Sequence, residues 1–600
     1  MKRCPECGRD YNDDSMSFCL DDGSELLFGP KSEPGSVATG FRTEDEPQTA
    51  ILHETAPPSE APTRAQIDTT NETAILPGGS EAEPQKSLSD SSEKRSFSAN
   101  RAAEPKKSFD KRLLLAPFAL AVIVIGGFFG YRYFSPAKQI ESIAVMPFVN
   151  EGGNADVEYL SDGMTETLIK SLSELPNLNV KPRSSVFRYK GKDTDLKTIG
   201  KELNVEAILN GRVVQRGEQL TLSLELVDVQ NDKVLWTESY GRKQSDLVSL
   251  QSEIAKDVST KLKSKLSGAD TAKIEKKYTD NPEAYQLYLK GRYQWNKRTG
   301  ESLKQAVEYF NQAIAKDPNY ALAYSGLAES YVLFPNYSVA LPLDCMPKAK
   351  AAALRAIEID DSLAETHTAL GTYYSLFAWN QPAAEKEFRR AIELNPNYAT
   401  AHQQFGIECL SATGRFDEAL AAGKRAEELD PLSPIIGADL ANILTNARRF
   451  DEAIAQLKRV LALDQNFWVA YWYLGRAYHA RGQYTEAVAA YRKGLELNDN
   501  PFLRALLIRS LVKTGERGEA VKLLGELQAE STRRYVSSSS FAVAYAALGE
   551  MDKAFAYLEK DVAERASRPA SFSVSSNWDD LRDDPRFAEL VRRVEASKLE

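Results

Sequence analysis

Histidine and cysteine are scarce in this chain, four and five among 600 residues. Histidine-based catalysis and multi-histidine metal sites therefore have little material, and a disulfide scaffold is excluded. The motifs of a phosphate loop, a nucleophile elbow, a helical zinc protease and a kinase are missing as well. There is no G-x-x-x-x-G-K-[ST], G-x-S-x-G, H-E-x-x-H, H-R-D or D-F-G. The chain is accordingly expected not to be an enzyme. Excess positive charge is also lacking, with 75 Lys and Arg against 85 Asp and Glu and a net charge of -10, so no nucleic acid is expected as a partner. What is present is 42% hydrophobic residues over a length too great for one core, which implies several folded modules.

Three cysteines crowd into the first 19 residues. Cys4 and Cys7 form a C-x2-C pair, with Pro5 and Gly8 suited to the tight turn that puts two thiolates on one ion. Cys19 and Asp22 repeat the x2 spacing, a carboxylate standing where a fourth thiolate would complete the tetrahedron. One structural Zn2+ held by Cys4, Cys7, Cys19 and Asp22 is the expected cofactor. The motifs CPECG and FCLDDG resemble the short zinc-ribbon module at the start of many bacterial membrane and signalling proteins, with Tyr11 and Phe18 as its packing. The module is assigned to residues 1–26.

Residues 27–110 are dominated by Glu, Ser, Thr, Pro, Gly and Ala without an apolar period, which predicts a disordered linker. Leu113–Tyr131 then runs 19 residues without a charge, close to the length that crosses a bilayer as a helix. Lys94, Arg95, Arg101, Lys106, Lys107, Lys111 and Arg112 precede it, against Arg132 and Lys138 after it. That asymmetry keeps the amino terminus in the cytoplasm and exports residues 139–600, so a single-pass protein of the bacterial inner membrane is expected. Gly126 and Gly130 form a small-x3-small pair that hints at weak self-association of the helix.

Residues 140–265 read as an α/β domain. It has a strand at Ile143–Val149, a helix through Tyr159–Leu175, a short strand near Leu178–Val180 and a helix around Leu196–Leu203. Three alternating strands come next, with turns at Arg216-Gly217 and Asn231-Asp232, and a helix from Asp246 to about Leu266 closes the domain. Ser161 and Asp162 are expected to cap the first helix. The runs SIAVMPF, EYLSDGMTETLIKSL, IGKELNVEAILNGRV and LVDVQNDKVLWTESY resemble the TolB amino-terminal-like domain. In bacteria that domain recurs beside tetratricopeptide repeats in membrane-anchored relatives of adenylate cyclases, kinases and winged-helix transcription regulators. The resemblance implies a signalling or envelope-associated setting and no chemistry of its own.

Past a helical-looking connector (Ser267–Asn281) the chain repeats with a period close to 34 residues, the tetratricopeptide spacing. Ala306, Ala313 and Pro318, then Ala384, Ala391 and Pro396, then Ala419, Ala426 and Pro431 mark the small pair and closing proline of three repeats. Gly371, Gly406 and Gly475 hold the small position of the first helix of a pair. Residues 282–562 are assigned to about eight helical pairs, the second lengthened by an insertion at Phe334–Pro347, and residues 563–600 to a carboxyl-terminal cap. The expected fold class is thus multidomain: zinc ribbon, linker, one transmembrane helix, α/β domain and all-α superhelix.

Stacked pairs of this kind present a concave groove lined by the first helix of each pair, suited to peptides or partner helices. Trp472, Arg476 and His479 share the spacing of that face, as do Thr368, Thr372 and Ser375, and Gln403 in another repeat, and they are the candidate partner-binding residues. His367 and His402 recur 35 residues apart where other repeats carry Tyr324 and Tyr471, which favours packing over metal binding. Cys409 is expected buried, while the insertion leaves Cys345 open to either a buried or an exposed place. The leading reading is a non-enzymatic membrane scaffold that binds protein through its repeats. The alternatives are a regulatory subunit of a kinase or cyclase system and a one-component sensor related to transcription regulators.

Overall fold

The structure, a computed structural model, describes residues 140–154, 157–175, 178–262, 267–567 and 569–596, together with three two-residue strands nearer the amino end. Those strands, β1 (Lys2–Arg3), β2 (Asp10–Tyr11) and β3 (Leu27–Phe28), pair antiparallel in the order β2-β1-β3, with Lys2 opposite both Tyr11 and Phe28. The small sheet thus continues past residue 26, where composition alone placed the start of the linker: Leu27 and Phe28 pair with Arg3 and Lys2 and extend it. Cys4, Cys7, Cys19 and Asp22 lie outside the described residues, as do the rest of the assigned linker and the apolar run Leu113–Tyr131. Among the described residues no helix is long and apolar enough to cross a membrane.

The α/β domain holds one mixed sheet, β6-β4-β7-β8-β9, with β5 (Val149–Asn150) beside β7. β4 (Ser142–Val145) lies parallel to β6 (Asn179–Val180) and β7 (Ala207–Arg216), whereas β7, β8 (Gln219–Asp228) and β9 (Lys233–Lys243) form two antiparallel hairpins. The first hairpin turns on Gly217, whose φ of +59° is left-handed backbone that glycine adopts without strain. Helices α1 (Glu158–Ser173), α2 (Arg183–Phe187), α3 (Leu196–Leu203) and α4 (Leu247–Lys261) complete the domain. α1 starts at Glu158 with no side-chain cap, so Ser161 and Asp162 are not its N-cap. Both are buried inside the helix: the Ser161 hydroxyl donates to the Glu158 carbonyl at 3.1 Å, and Asp162 is paired with Lys190.

A short connector helix, α5 (Gly268–Ile274), is fixed by a reciprocal capping box between Ser267 and Asp270. Eight helical pairs come after it among the described residues. The first three are Pro282–Asn296 with Gly300–Lys316, Ala321–Leu333 with Pro342–Ile359, and 364–378 with Gln381–Leu394. The middle two are 399–410 with Phe416–Leu429, and Pro434–Asn446 with Phe450–Leu463. The last three are Trp468–Ala480 with Tyr484–Leu497, Pro501–Thr514 with Arg517–Glu530, and Ser538–Ala547 with Met551–Ala563. Glycine permits the close contact within a pair. A Cβ on Gly475 would lie 2.4 Å from the Tyr491 ring, and one on Gly371 3.0 Å from Phe388. Ala306, Ala313, Ala384, Ala391, Ala419 and Ala426 are all fully buried. The second half of the insertion is helical from Pro342, which carries Cys345 into the core at 1% exposure and so excludes the exposed thiol that the insertion allowed. Cys409 is equally buried, and both thiols are free and pushed up to about 12 by burial.

After the eighth pair come a helix at Pro569–Val574, a 3-10 turn at Ser576–Leu581 and a last helix, Pro585–Ala596. The array curves far enough to meet itself: the Arg565 guanidinium donates to the Phe377 carbonyl at 2.7 Å, joining the eighth pair to the third.

Candidate functional site

The amino-terminal part of the array's inner face is covered by the α/β domain. Gly163 of α1 lets the helix close on Leu289, to which an added Cβ would come within 2.9 Å. The Arg292 guanidinium donates to Glu166 at 2.8 Å and to Glu329 at 2.6 Å, and Lys170 pairs with Glu365 at 2.7 Å. Burial raises the Glu166 carboxyl, but Arg292 and Arg183 outweigh it and hold the net value below the ordinary carboxylate range. Farther along, Ser185 donates to Asp430 at 2.6 Å across 245 residues. Helices α1 and α2 of the α/β domain thus reach the first and third pairs and the end of the fourth.

The sequence-selected residues sit on the expected helices, yet they do not line an open face. Thr368 and Thr372 donate back to the carbonyls of Ala364 and Thr368, Ser375 donates to the Glu408 carbonyl, and Gln403 donates to Asp439 at 2.7 Å. All four are buried and bonded within the array. The spacing located the inner side of the helices. What it could not show is how closely neighbouring pairs pack there.

Trp472 stacks on Trp468 of its own helix with centroids 5.8 Å apart and meets Phe502 of the next pair edge-on at 5.9 Å, so part of its ring is packing between pairs. His479 is buried, receives the Ser510 hydroxyl or donates to it at 2.8 Å, and is pushed down to about 3 by burial and by Arg509. It is a neutral imidazole at physiological pH, not a cationic tip. His367 and His402 also act in packing: His367 bonds Glu387 at 2.6 Å, and His402 bonds the Pro396 carbonyl at 3.0 Å.

Arg476 marks the best-formed site. It donates to Asn442 at 2.5 Å and to the Ser575 hydroxyl at 3.2 Å, so what covers it is the chain's own segment after the eighth pair. Arg448 grips Asp579 with both terminal nitrogens, at 2.8 and 2.9 Å. Arg509 donates to the Ser576 carbonyl at 2.9 Å and pairs with Asp580, which Lys513 also approaches at 3.4 Å. Burial raises both carboxyls, but the facing cations hold Asp579 and Asp580 below the usual range. Arg448, Arg509, Lys513, Asp579 and Asp580 were not singled out from sequence. The adjacent aspartates after Trp578 were the available signal, without a partner to give it meaning.

Among the described residues no group of three or more His, Cys, Asp or Glu is arranged to hold a metal ion. The arrangement is one guanidinium fork on a carboxylate, Arg448 on Asp579, beside a second guanidinium, Arg509, shared between Asp580 and a backbone carbonyl.

The molecule is therefore an α/β domain closed onto an array of tetratricopeptide repeats. Residues 436–574 match a tetratricopeptide repeat family, and residues 138–257 match the second domain of HilA/YgeH-like transcriptional regulators. A protein named as an adenylate cyclase in Rhizobium meliloti is 32% identical over 236 residues, 39% of this chain and 40% of that one. The transcriptional regulator HilA of Salmonella typhimurium is 23% identical over 321 residues, 51% of this chain and 56% of that one. The chain spans about half the length of the curated relatives it matches. Among solved structures, PilF of Pseudomonas aeruginosa is 20% identical, with a TM-score of 0.27 over 36% of this chain and 90% of that one.

Proposed function

We propose that this protein is a non-enzymatic adaptor that holds a protein segment on the inner face of its repeats. The observation that carries it is the clamp of Arg448, Arg476 and Arg509, drawn from three successive helical pairs and already closed on a stretch of polypeptide. The adaptor reading extends to the rest of the chain. The apolar run Leu113–Tyr131 anchors it, the basic residues before that run keep the amino end in the cytoplasm, and the α/β domain and repeats are exported. A structural zinc on Cys4, Cys7, Cys19 and Asp22 holds a cytoplasmic module, a reading supported by the small antiparallel sheet whose strands flank these positions in sequence. The TolB-like resemblance fits an envelope setting.

Crosslinking in native membranes followed by mass spectrometry tests the adaptor. Protein partners crosslinked to the array and lost in an Arg448→Glu, Arg509→Glu chain are expected; the same recovery from both chains contradicts the clamp as their binding place. A reporter fused after Glu600 tests the orientation, with alkaline phosphatase activity expected there.

A second reading is favoured by the matches to the second domain of HilA-like regulators and to the Rhizobium meliloti protein. In it the chain regulates a cyclase, a kinase or a transcription system whose output domain is a separate chain. Copurification with nucleotide turnover distinguishes that role from a plain scaffold.

A further inference from the structure

The turn Ser576–Leu581 lies beyond the eighth pair, whose end a simple cap would cover. It packs on the first helix of the eighth pair, with Trp578 and Leu581 in the shared apolar cluster, and it also reaches back to pairs five, six and seven. Its contacts there are polar and directional: Asp579 in the fork of Arg448, Asp580 against Arg509 and Lys513, and the Ser576 carbonyl on Arg509. Behind them Trp578 is buried edge-on against Phe572, with centroids 5.1 Å apart. A guanidinium fork on one carboxylate, a second guanidinium on its neighbour and one aromatic anchor are the chemistry by which an Arg cluster recognises an acidic peptide.

The outer pair of this clamp is open to water, with Arg448 and Asp579 side chains 45% and 32% exposed, whereas Arg509 is 5% exposed. An exposed pair is weak and screened by salt, so it gives way first. A buried guanidinium left without a carboxylate is costly. Whatever replaces the segment must therefore bring carboxylates of its own.

We infer that Ser575–Arg582 is a ligand bound in cis, and that the partner of the groove is an acidic protein segment with an aromatic residue beside adjacent carboxylates, which exchanges with it. The inference rests on the adaptor reading and names the chemistry of its partner. In the free chain the groove is held shut, and partner affinity is reduced by the fraction of time the segment is docked.

The probe is a labelled synthetic peptide of residues 575–583, titrated by fluorescence anisotropy into the purified full-length chain and into the Asp579→Asn, Asp580→Asn chain. The double variant, whose own segment is loosened, is expected to bind the peptide at least about tenfold more tightly than the wild type. That binding should weaken sharply between about 50 and about 500 mM salt and vanish when Arg509→Gln is added. Equal, weak binding by both chains with unchanged melting overturns the inference. So does a double variant that loses its cooperative melt, because the segment is then part of the core. Hydrogen exchange on the wild type supplies an independent reading: amides 575–582 are expected to exchange well before those of Met551–Ala563, and exchange of both only by global unfolding overturns exchangeability. Crosslinking separates the two readings. Partners recovered from both chains without peptide binding keep the adaptor and remove this inference, whereas no partner from either chain removes the adaptor.

Discussion

Arg292 and Glu166 meet at 2.8 Å across 126 residues, and through this contact the α/β domain is held to the first helical pair. The same guanidinium bonds Glu329 of the second pair at 2.6 Å, so one cation serves two nearly buried carboxylates, with Arg183 a second cation on Glu166 at 3.3 Å. Arg292→Ala leaves both without it. The expected loss is about 3–5 kcal/mol, read as a lower denaturant midpoint, because removing one partner of a buried pair strands charge in a poorly solvated site. Adding Glu166→Gln to that variant should restore part of the loss. A single-variant loss below about 1 kcal/mol would place the domain contact elsewhere.

Glu174 sits at the same domain boundary, where burial pushes its carboxyl up to about 7 against the pull of Lys170. Lys170 is already bonded to Glu365, which leaves Glu174 the less favoured of two carboxylates around one ammonium. The folded chain therefore keeps a proton that the unfolded chain releases near pH 4.3. Stability is full below that value, falls as the pH climbs through the interval to about 7, and is flat above it. Glu174→Gln should thus melt with the wild type near pH 4 and above it near pH 8. Melting curves that stay parallel across this range would show that Glu174 titrates normally.

Gly475 tests the packing rule within a pair. A methyl group there would lie 2.4 Å from the Tyr491 ring, which is 1% exposed and has no room to retreat. Gly475→Ala is expected to cost about 1–3 kcal/mol by overpacking. Gly525 lies mid-helix with open space around it, and Gly525→Ala should add about 0.5–1 kcal/mol of stability. If both changes have the same sign, the contact at Tyr491 is not what requires glycine.

These glycines also show why the fold was so legible. The repeat period, the buried alanines and the hairpin turns are local patterns, each determined within one or two elements, and the sequence displays them directly. Ser161 misled because a Ser-Asp pair before an apolar run reads as a cap, while the helix begins three residues earlier, at Glu158, and buries both side chains. The clamp was hidden for another reason. Arg448 and Asp579 are 131 residues apart, and no periodicity links a repeat to the segment that folds back on it. Helix spacing put Arg476 on one face with Trp472 and His479 but carried no information about what covers it.

The metal is tested by elemental analysis of the full-length chain purified without chelator, where one zinc per chain is expected. Two thiolates separated by two residues at Cys4 and Cys7, with Cys19 and Asp22 repeating the spacing, would supply the four ligands that a closed tetrahedral site needs. Ligands must be deprotonated to bind, so the zinc should leave as the pH falls into the acid range, and Cys7→Ser should lose it at neutral pH. Asp22→Ala addresses the fourth ligand alone. Three thiolates keep much of the affinity, so this variant is expected to retain zinc and to release it to a chelator sooner than the wild type. Release at the wild-type rate would assign the fourth position to another group, whereas a wild-type chain without zinc would remove the site altogether.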